Sequence, residues 1–548
     1  MTTSDTTPVL IVGGGPVGLV LAIDLAWRGV PCMLVNTGDT TARHPQGSTH
    51  NCRSMEHYRR LGIGNQVRNT GLPQEDDTAV SYLTRFTAPE LSRIHMPSPA
   101  EKRRQMAERD PSLLTPEPIH RASQFYVEPV LHEHAKTLPQ IDLKFGWELT
   151  EFNEHVDGVT SQIRNVETGE TRTVESRWIV GCDGGQSHVR RALGISYKGD
   201  GGDEVAFMIG SMLSIYIDAP GLYDVMACAP AYQFWTVNNE GRTCVVTLDG
   251  RGKFVVLAKF PNPDLDNDGI AAALQVAIGA EIDIEVLSVK PWTAGNALVA
   301  ERFGSERAFL AGDSAHLFTP TGGFGMNTGI DDAANLAWKL AGVHHGWAAD
   351  TILQTYETER RPIGIRNTKA CRALASDVAT IVIPDGLEDD TDAGAAARAA
   401  LGEHLAGFGE EFASLGIQLG ARYDGSPLIV ADGTEPPVGT PIDYIPTSCP
   451  GGRAPHIWLE NGDSILDRFG KWFSLLKLGT TDVDTGPLEA ATMAQGVPLS
   501  VVEIEEPQAR ALYECDLVLV RPDGHVAWRG DVLPDDVAGL ALQVIGRH

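Results

Sequence analysis

Positive charge is scarce in this 548-residue chain: 44 Lys and Arg stand against 72 Asp and Glu, a formal net charge of −28. Such a surface repels nucleic acid and anionic membranes, which excludes both as partners. The acidic run from Asp385 to Asp392 reads as a solvated loop. Close cysteine pairs are also missing. The eight cysteines stand at 32, 52, 182, 228, 244, 371, 449 and 515, none of them in a CxxC arrangement. They read as reduced structural thiols rather than a disulfide framework or a dithiol centre. No uninterrupted apolar stretch reaches membrane-spanning length, and the N-terminus has no basic region of the signal-peptide kind. A cytoplasmic location is therefore the expectation. His132 and His134 lie two apart on an expected helix, hence on different faces, so they make no metal site. No metal is expected.

What is present begins with an apolar run at residues 9–12 (VLIV), readable as a buried parallel strand. Gly13-Gly14-Gly15-Pro16-Val17-Gly18 follows at once. Gly13 permits a tight turn, Gly15 lets backbone approach a diphosphate, and Gly18 allows helix to pack closely on strand. Residues 19–26 read as a helix whose N-terminus offers free N–H groups to phosphates. Residues 32–35 read as the next strand. An acidic residue normally ends that strand and binds ribose hydroxyls; here Asn36 stands in its place, with Asp39 nearby.

Far along the chain a second signal occurs. Residues 309–316 (FLAGDSAH) join an apolar strand to an acidic turn at Asp313, and residues 320–327 (PTGGFGMN) enter a helix through glycines. A second grip on one long anionic cofactor has this form. The first grip holds a diphosphate and the second holds the far end of the same molecule, which suits FAD better than NAD.

Together these pieces resemble the single-component FAD-dependent aromatic hydroxylases of the para-hydroxybenzoate and phenol hydroxylase type. The resemblance is carried by the glycine turn, Arg53-Ser54-Met55-Glu56 with Arg60-Leu61-Gly62, and Val180-Gly181-Cys182-Asp183-Gly184. It continues through Ser187 with Val189-Arg190, the GDSAH segment, residues 336–340, and Glu359-Arg360-Arg361-Pro362, spanning about residues 8–365. Residues 450–456 and 520–524 look like the C-terminal domain of the phenol hydroxylase branch. The resemblance implies non-covalent FAD, NADH or NADPH and O2 as co-substrates, and a phenolic or polyketide-type ring hydroxylated through a C4a-hydroperoxyflavin. It implies cofactor contacts at Gly13, Gly15, Pro16, Val17, Gly18, Asn36, Gln124, Asp183 and Asp313. It further implies a wrap around the flavin ring by Pro320, Gly323, Gly325, Met326 and Asn327. Ser314 stands where alanine is usual and reads as nearly isosteric. Gln46 occupies a place that is often basic, leaving Arg43 and Arg53 as substitutes. The absence of a second strand–GxGxxG–helix unit agrees with a nicotinamide cofactor that docks on the surface.

The expected architecture is α/β. A Rossmann-like FAD-binding domain (residues 1–195 and 296–382) carries an inserted, mainly antiparallel substrate sheet (196–295). A linker region (383–439) with one helix near 393–405 leads to a thioredoxin-like domain (440–548). A long helical region is expected from 328 to about 379. Tyr223, Tyr232, Phe234 and Trp235 fall in the substrate sheet and are candidate pocket walls, with plain core packing as their other reading. The sheet shows no clustered Arg/Lys set. His316 reads as satisfying local backbone groups. No catalytic base is identifiable. Open alternatives are Baeyer–Villiger or epoxidising chemistry on the same fold, and a non-catalytic FAD-binding protein. The tryptophan-rich WxWxIP signature of flavin halogenases does not occur. A homo-oligomer is expected.

Overall fold

The computed structural model of the protein describes residues 4–547 other than 201–209, 240, 261, 263, 295, 380 and 413. The first sheet has the order Ile141–Phe145, Cys32–Asn36, Ser4–Val12, Thr171–Gly181, Gly158–Asn165, Trp147–His155, and Ala308–Leu310 also pairs with Thr171–Gly181. Ser4–Val12 lies parallel to both its neighbours, and Ala308–Leu310 lies parallel to Thr171–Gly181. Residues 9–11 are fully buried, as a strand covered on both faces requires. The helices Pro16–Trp27 and Phe324–His344 lie together, so the two glycine-rich entries belong to one layer. Close packing fixes that arrangement. A Cβ on Gly329 would fall 2.7 Å from both Gly312 Cα and Val17 Cγ2.

The expected long helical region is two helices, Phe324–His344 and Thr355–Ala379, joined through the short 3-10 turn Asp350–Gln354. Gly346 has φ +81°, a left-handed conformation that ends the first helix.

The second sheet has the order Glu285–Ala294, Gly210–Asp218, Lys253–Ala258, Gly241–Thr247, Gln233–Asn238, Val80–Leu83, Glu90–Ile94. Its middle strands pair antiparallel, as expected of the inserted sheet. Glu240, between two of them, lies outside the described residues. Val80–Leu83 and Glu90–Ile94, which the sequence left inside the FAD segment, hydrogen-bond into this sheet. The two faces bury different residues. Tyr82, Trp235, Cys244, Val246 and Val255 pack on one face, and Leu83, Phe234, Val245, Phe254 and Val256 on the other. This is the period-two alternation of a strand.

The region expected as a linker packs into the body. Its helix Asp392–Ala406 lies against Glu90–Ile94, so closely that a Cβ on Gly402 would fall 2.2 Å from Leu91 O. Leu401, Leu405 and Phe412 join the inner face of the second sheet. The last sheet has the order Leu499–Ile504, Phe473–Leu478, Leu517–Val520, Val526–Gly530, one parallel pair followed by two antiparallel pairs. That is the thioredoxin-like arrangement. All eight cysteines of the chain are free. Among the described residues no helix is long and apolar enough to cross a membrane.

Candidate active site

The glycine turn at the end of Ser4–Val12 is shaped by close contacts. Gly13 has φ +113°, and a Cβ there would fall 2.2 Å from Cys182 O, so only glycine fits. Gly18 is equally confined, 2.0 Å from Gly13 O by the same measure, whereas Gly15 faces open space. The helix Pro16–Trp27 starts with Pro16 in its first turn, no side-chain cap and no acidic residue. Its first N–H groups are thus left for a ligand, and confined Gly13 and Gly18 beside open Gly15 fit a diphosphate. Asn36 Oδ1 accepts from Gly14 N at 2.9 Å, and its Nδ2 donates to Gly38 O. The residue standing in for the usual acid therefore braces the turn itself.

A cavity of about 470 Å3 opens in front of this turn, lined by Gly14, Gly15, Asn36, Arg43, Gln124 and Glu128 among others. Gln124 Nε2 donates to Glu128 Oε1, and Glu128 Oε2 accepts from Ala42 N at 2.8 Å. Burial raises the Glu128 pKa. Arg43 lies at the exposed rim, paired with Asp39 at 2.8 Å.

A second cavity, of about 410 Å3, shares Gln46 with the first. Asp313, Pro320, Thr321, Gly322 and Gly323 form one wall, and Ser214, Gln233, Trp235, Val246 and Leu257 of the second sheet form another. The glycine turn and the Asp313 loop thus line two neighbouring cavities that have Gln46 in common. Asp313 is exposed to the second, yet protein surrounds the carboxylate closely enough that burial raises its pKa, with His316 acting in the opposite sense. His316 Nε2 lies 2.6 Å from Asp332 Oδ2, which also accepts from Gly312 N at 3.2 Å. The histidine therefore steadies the Asp313 loop through a carboxylate, not through the local backbone groups expected of it. Ser314 does more than the nearly isosteric exchange expected of it. Its Oγ lies 2.6 Å from Gly181 O and accepts from Ala311 N at 3.0 Å, tying the loop to the first sheet.

Gly322 and Gly323 have φ +75° and +66° and turn the chain into Phe324–His344, which has neither a side-chain cap nor an acidic residue in its first turn. An unsatisfied positive helix end at this wall favours negative charge beside it. Asn327 is buried behind it: its Nδ2 donates to Thr49 O and Gly323 O, and its Oδ1 accepts from Asn51 N. Met326 packs against the core, and neither it nor Gly325 lines the cavity.

Several expectations are corrected. Arg53 is not at the cleft. Its Nε and Nη1 bond Asp331 and Glu56, and its Nη2 donates to Asp523 O, because α-helical spacing turns it toward the C-terminal domain. The Asp183 carboxylate is occupied as well, accepting from Ser187 Oγ and from the backbone N–H groups of His188 and Val189 at the start of a short helix. Of the four aromatic candidates, Trp235 lines the cavity. Tyr232 lies just behind it, with its hydroxyl donating to Ser48 O at 2.6 Å. Phe234 points to the opposite face of the sheet by strand alternation. Tyr223 lies on that far side too, bonded to Thr247 Oγ1 and packed on Phe254.

Other wall residues were not foreseen from the sequence. His44, Thr49, Arg121, Lys290 and Phe412 line the cavity from outside the strands that alternation could identify, Lys290 from the edge strand of the sheet. Two cations, Arg121 and Lys290, thus line the cavity, of which only Lys290 belongs to the second sheet. The Arg121 guanidinium lies between the rings of Tyr232 and Phe412, 5.2 and 5.6 Å from their centroids. Gln233 was recoverable, being two residues from Trp235 on the same face; Phe412 gave no signal.

The chain matches two family descriptions, FAD binding domain over residues 6–370 and aromatic-ring hydroxylase, C-terminal over residues 447–547. It is 33% identical to the FAD-dependent monooxygenase apdD of Emericella nidulans, across 97% of this chain and 89% of that protein. It is 31% identical to a 4-methyl-5-nitrocatechol 5-monooxygenase of Burkholderia sp, across 96% and 95%. The solved structure of the rebeccamycin biosynthetic enzyme RebC with reduced flavin superimposes with a TM-score of 0.90 at 37% identity, covering all of both chains. With its glycine turn and acidic loop lining neighbouring cavities, the chain belongs to the FAD-dependent aromatic-ring monooxygenases.

Proposed function

We propose that this protein hydroxylates a phenolic or polyketide-type aromatic ring at the expense of NAD(P)H and O2, with FAD held non-covalently between the two glycine-rich turns. The observation that carries the reading is the pair of neighbouring cavities, one in front of the N-terminal turn and one walled by the inner face of the second sheet, with Gln46 lining both. Gly13, Gly15 and Gly18 with the start of Pro16–Trp27 would hold the diphosphate. Asn36, Gln124 and Asp313 would hold the sugar and polyol hydroxyls, and Gly322 and Gly323 would meet the ring. When bound, FAD supplies the two-electron chemistry that activates O2 and passes one oxygen atom to the ring.

The remaining tasks belong to the chain. Trp235, Val246 and Leu257 give an apolar wall on which a flat ring can lie, excluding water from the reacting face. The uncapped start of Phe324–His344 favours negative charge on the cofactor side. Lys290 favours an ionised ring hydroxyl on the other. The name of one relative, a 4-methyl-5-nitrocatechol 5-monooxygenase, supports the substrate class.

Purified protein is expected to be yellow, to release FAD on denaturation, and to consume NADH or NADPH faster with some phenols present. Product oxygen should come from 18O2. A colourless protein that FAD does not reconstitute, or product oxygen that comes from water, overturns the proposal.

A further inference from the structure

We propose that Ser214, His44 and Ser288 form a proton-transfer chain that carries the ring hydroxyl's proton out of the substrate cavity. This rests on the hydroxylase reading and supplies the proton acceptor that reading lacks. His44 Nε2 lies 2.9 Å from Ser214 Oγ, and Nδ1 lies 2.7 Å from Ser288 Oγ. Ser214 and His44 line the cavity, whereas Ser288 does not. Ser288 is half-buried on Glu285–Ala294, the edge strand of the sheet. The three groups therefore lead from the cavity wall to the rim of the fold.

Other wall groups are unsuited to the task. Lys290 and Arg121 are cations without an acceptor atom. The Tyr232 hydroxyl donates to Ser48 O, and Cys244 Sγ accepts from Gln233 Nε2. Asp313 stands on the opposite, cofactor-bearing wall. His44 is buried, and burial with the nearby Lys290 charge pushes its pKa down to about 4. The imidazole is then neutral, with one acceptor nitrogen and one donor nitrogen. This is the state in which it can receive a proton on one side and release one on the other.

The transfer balances. The substrate O–H bond breaks and its oxygen keeps the electron pair. Ser214 Oγ takes that proton while giving its own to His44 Nε2. The Nδ1 proton passes to Ser288 Oγ, whose proton goes to water. The products are an ionised ring hydroxyl, a hydrated proton and the other imidazole tautomer. Passage in the reverse direction, when the product hydroxyl is reprotonated, restores the starting tautomer.

The test uses the FAD-loaded enzyme and a panel of phenols, naphthols and hydroxyindoles, from which one that stimulates NAD(P)H oxidation is chosen. His44→Gln is expected to lower the hydroxylation kcat by about 10²–10⁴-fold, leaving FAD content, melting temperature and the probe's KM close to wild type. Imidazole should restore turnover to His44→Ala but not to His44→Gln. Rapid mixing without O2 should show phenolate absorbance appearing more slowly in both variants. Ser288→Ala, a small change on an edge strand, should slow the same step if the histidine variants do not fold. Wild-type phenolate appearance in Ser288→Ala, or near-wild-type kcat in a folded His44→Gln, overturns the chain of transfer. If no phenol stimulates the wild-type enzyme, the hydroxylase reading fails first and the inference falls with it.

Discussion

Asp313 illustrates what one residue carries in this fold. Its carboxylate faces the cleft while protein surrounds it on the other sides, and Tyr197 donates to its carbonyl. Asp313→Ala should weaken FAD binding by about one to two orders of magnitude, because hydroxyls buried against this wall would lose a charged acceptor worth about 1.5–3 kcal/mol. The ratio of flavin to protein absorbance after gel filtration checks this, and normal occupancy would remove Asp313 from the site. Neighbouring residues on one strand make a second test. Phe234→Ala should cost about 3–5 kcal/mol of stability and leave KM for the aromatic substrate unchanged, since its ring lies on the far face. Trp235→Ala should raise that KM as well as lower the melting temperature, which steady-state kinetics and thermal unfolding separate. Asp313 and Trp235 were readable from sequence because each belongs to a local pattern. His44, Arg121 and Phe412 were not, because their place in the wall depends on contacts with distant segments.

At the scale of elements, the entry to Phe324–His344 joins two demands. The chain must turn sharply and leave its helix end open. Gly323 has φ +66°, and a Cβ there would fall 2.8 Å from Thr49 Cβ. Gly323→Ala is therefore expected to destabilise the protein by roughly 1–3 kcal/mol and to weaken FAD binding together with it, as thermal unfolding with and without added FAD would show. Residues 32–35 were expected as a strand and residues 19–26 as a helix, and they lie within Cys32–Asn36 and Pro16–Trp27. Their apolar composition and bounding glycines are local properties. The break at Gly346 was not foreseen, since residues 324–379 keep a helical composition across it and only the left-handed glycine ends the first helix. Pairing of Val80–Leu83 with the second sheet was also hidden, because strand partners distant in sequence leave no mark on either strand alone.

Across the whole molecule, charged groups buried between the FAD-binding body and the C-terminal domain hold the two together. Arg521 bonds Glu359 at 2.7 and 2.8 Å, and Arg453 bonds Glu56 through both a 2.9 Å contact and a shorter one. Asp523 accepts from Trp338 Nε1 at 3.2 Å. The motifs at 450–456 and 520–524 that carried the family resemblance are thus seam residues. Despite opposing burial, Arg453 and Arg53 hold the Glu56 pKa down at about 2, from an ordinary 4.5. A depressed folded-state value means the contribution is complete above the unfolded value and is lost as pH falls from about 4.5 toward 2. Stability should therefore decline over that interval, and Glu56→Gln should be less stable at neutral pH but show a shallower acid decline; chemical denaturation at a series of pH values checks both. Phe412 gives the seam a further meaning. Because a residue from beyond the second long helix closes the substrate cavity, any chimaera that grafts the aromatic specificity of this enzyme onto a relative must place its junction after residue 412. A splice made at the end of Thr355–Ala379, where the architecture invites one, would transplant a chamber missing part of its own wall.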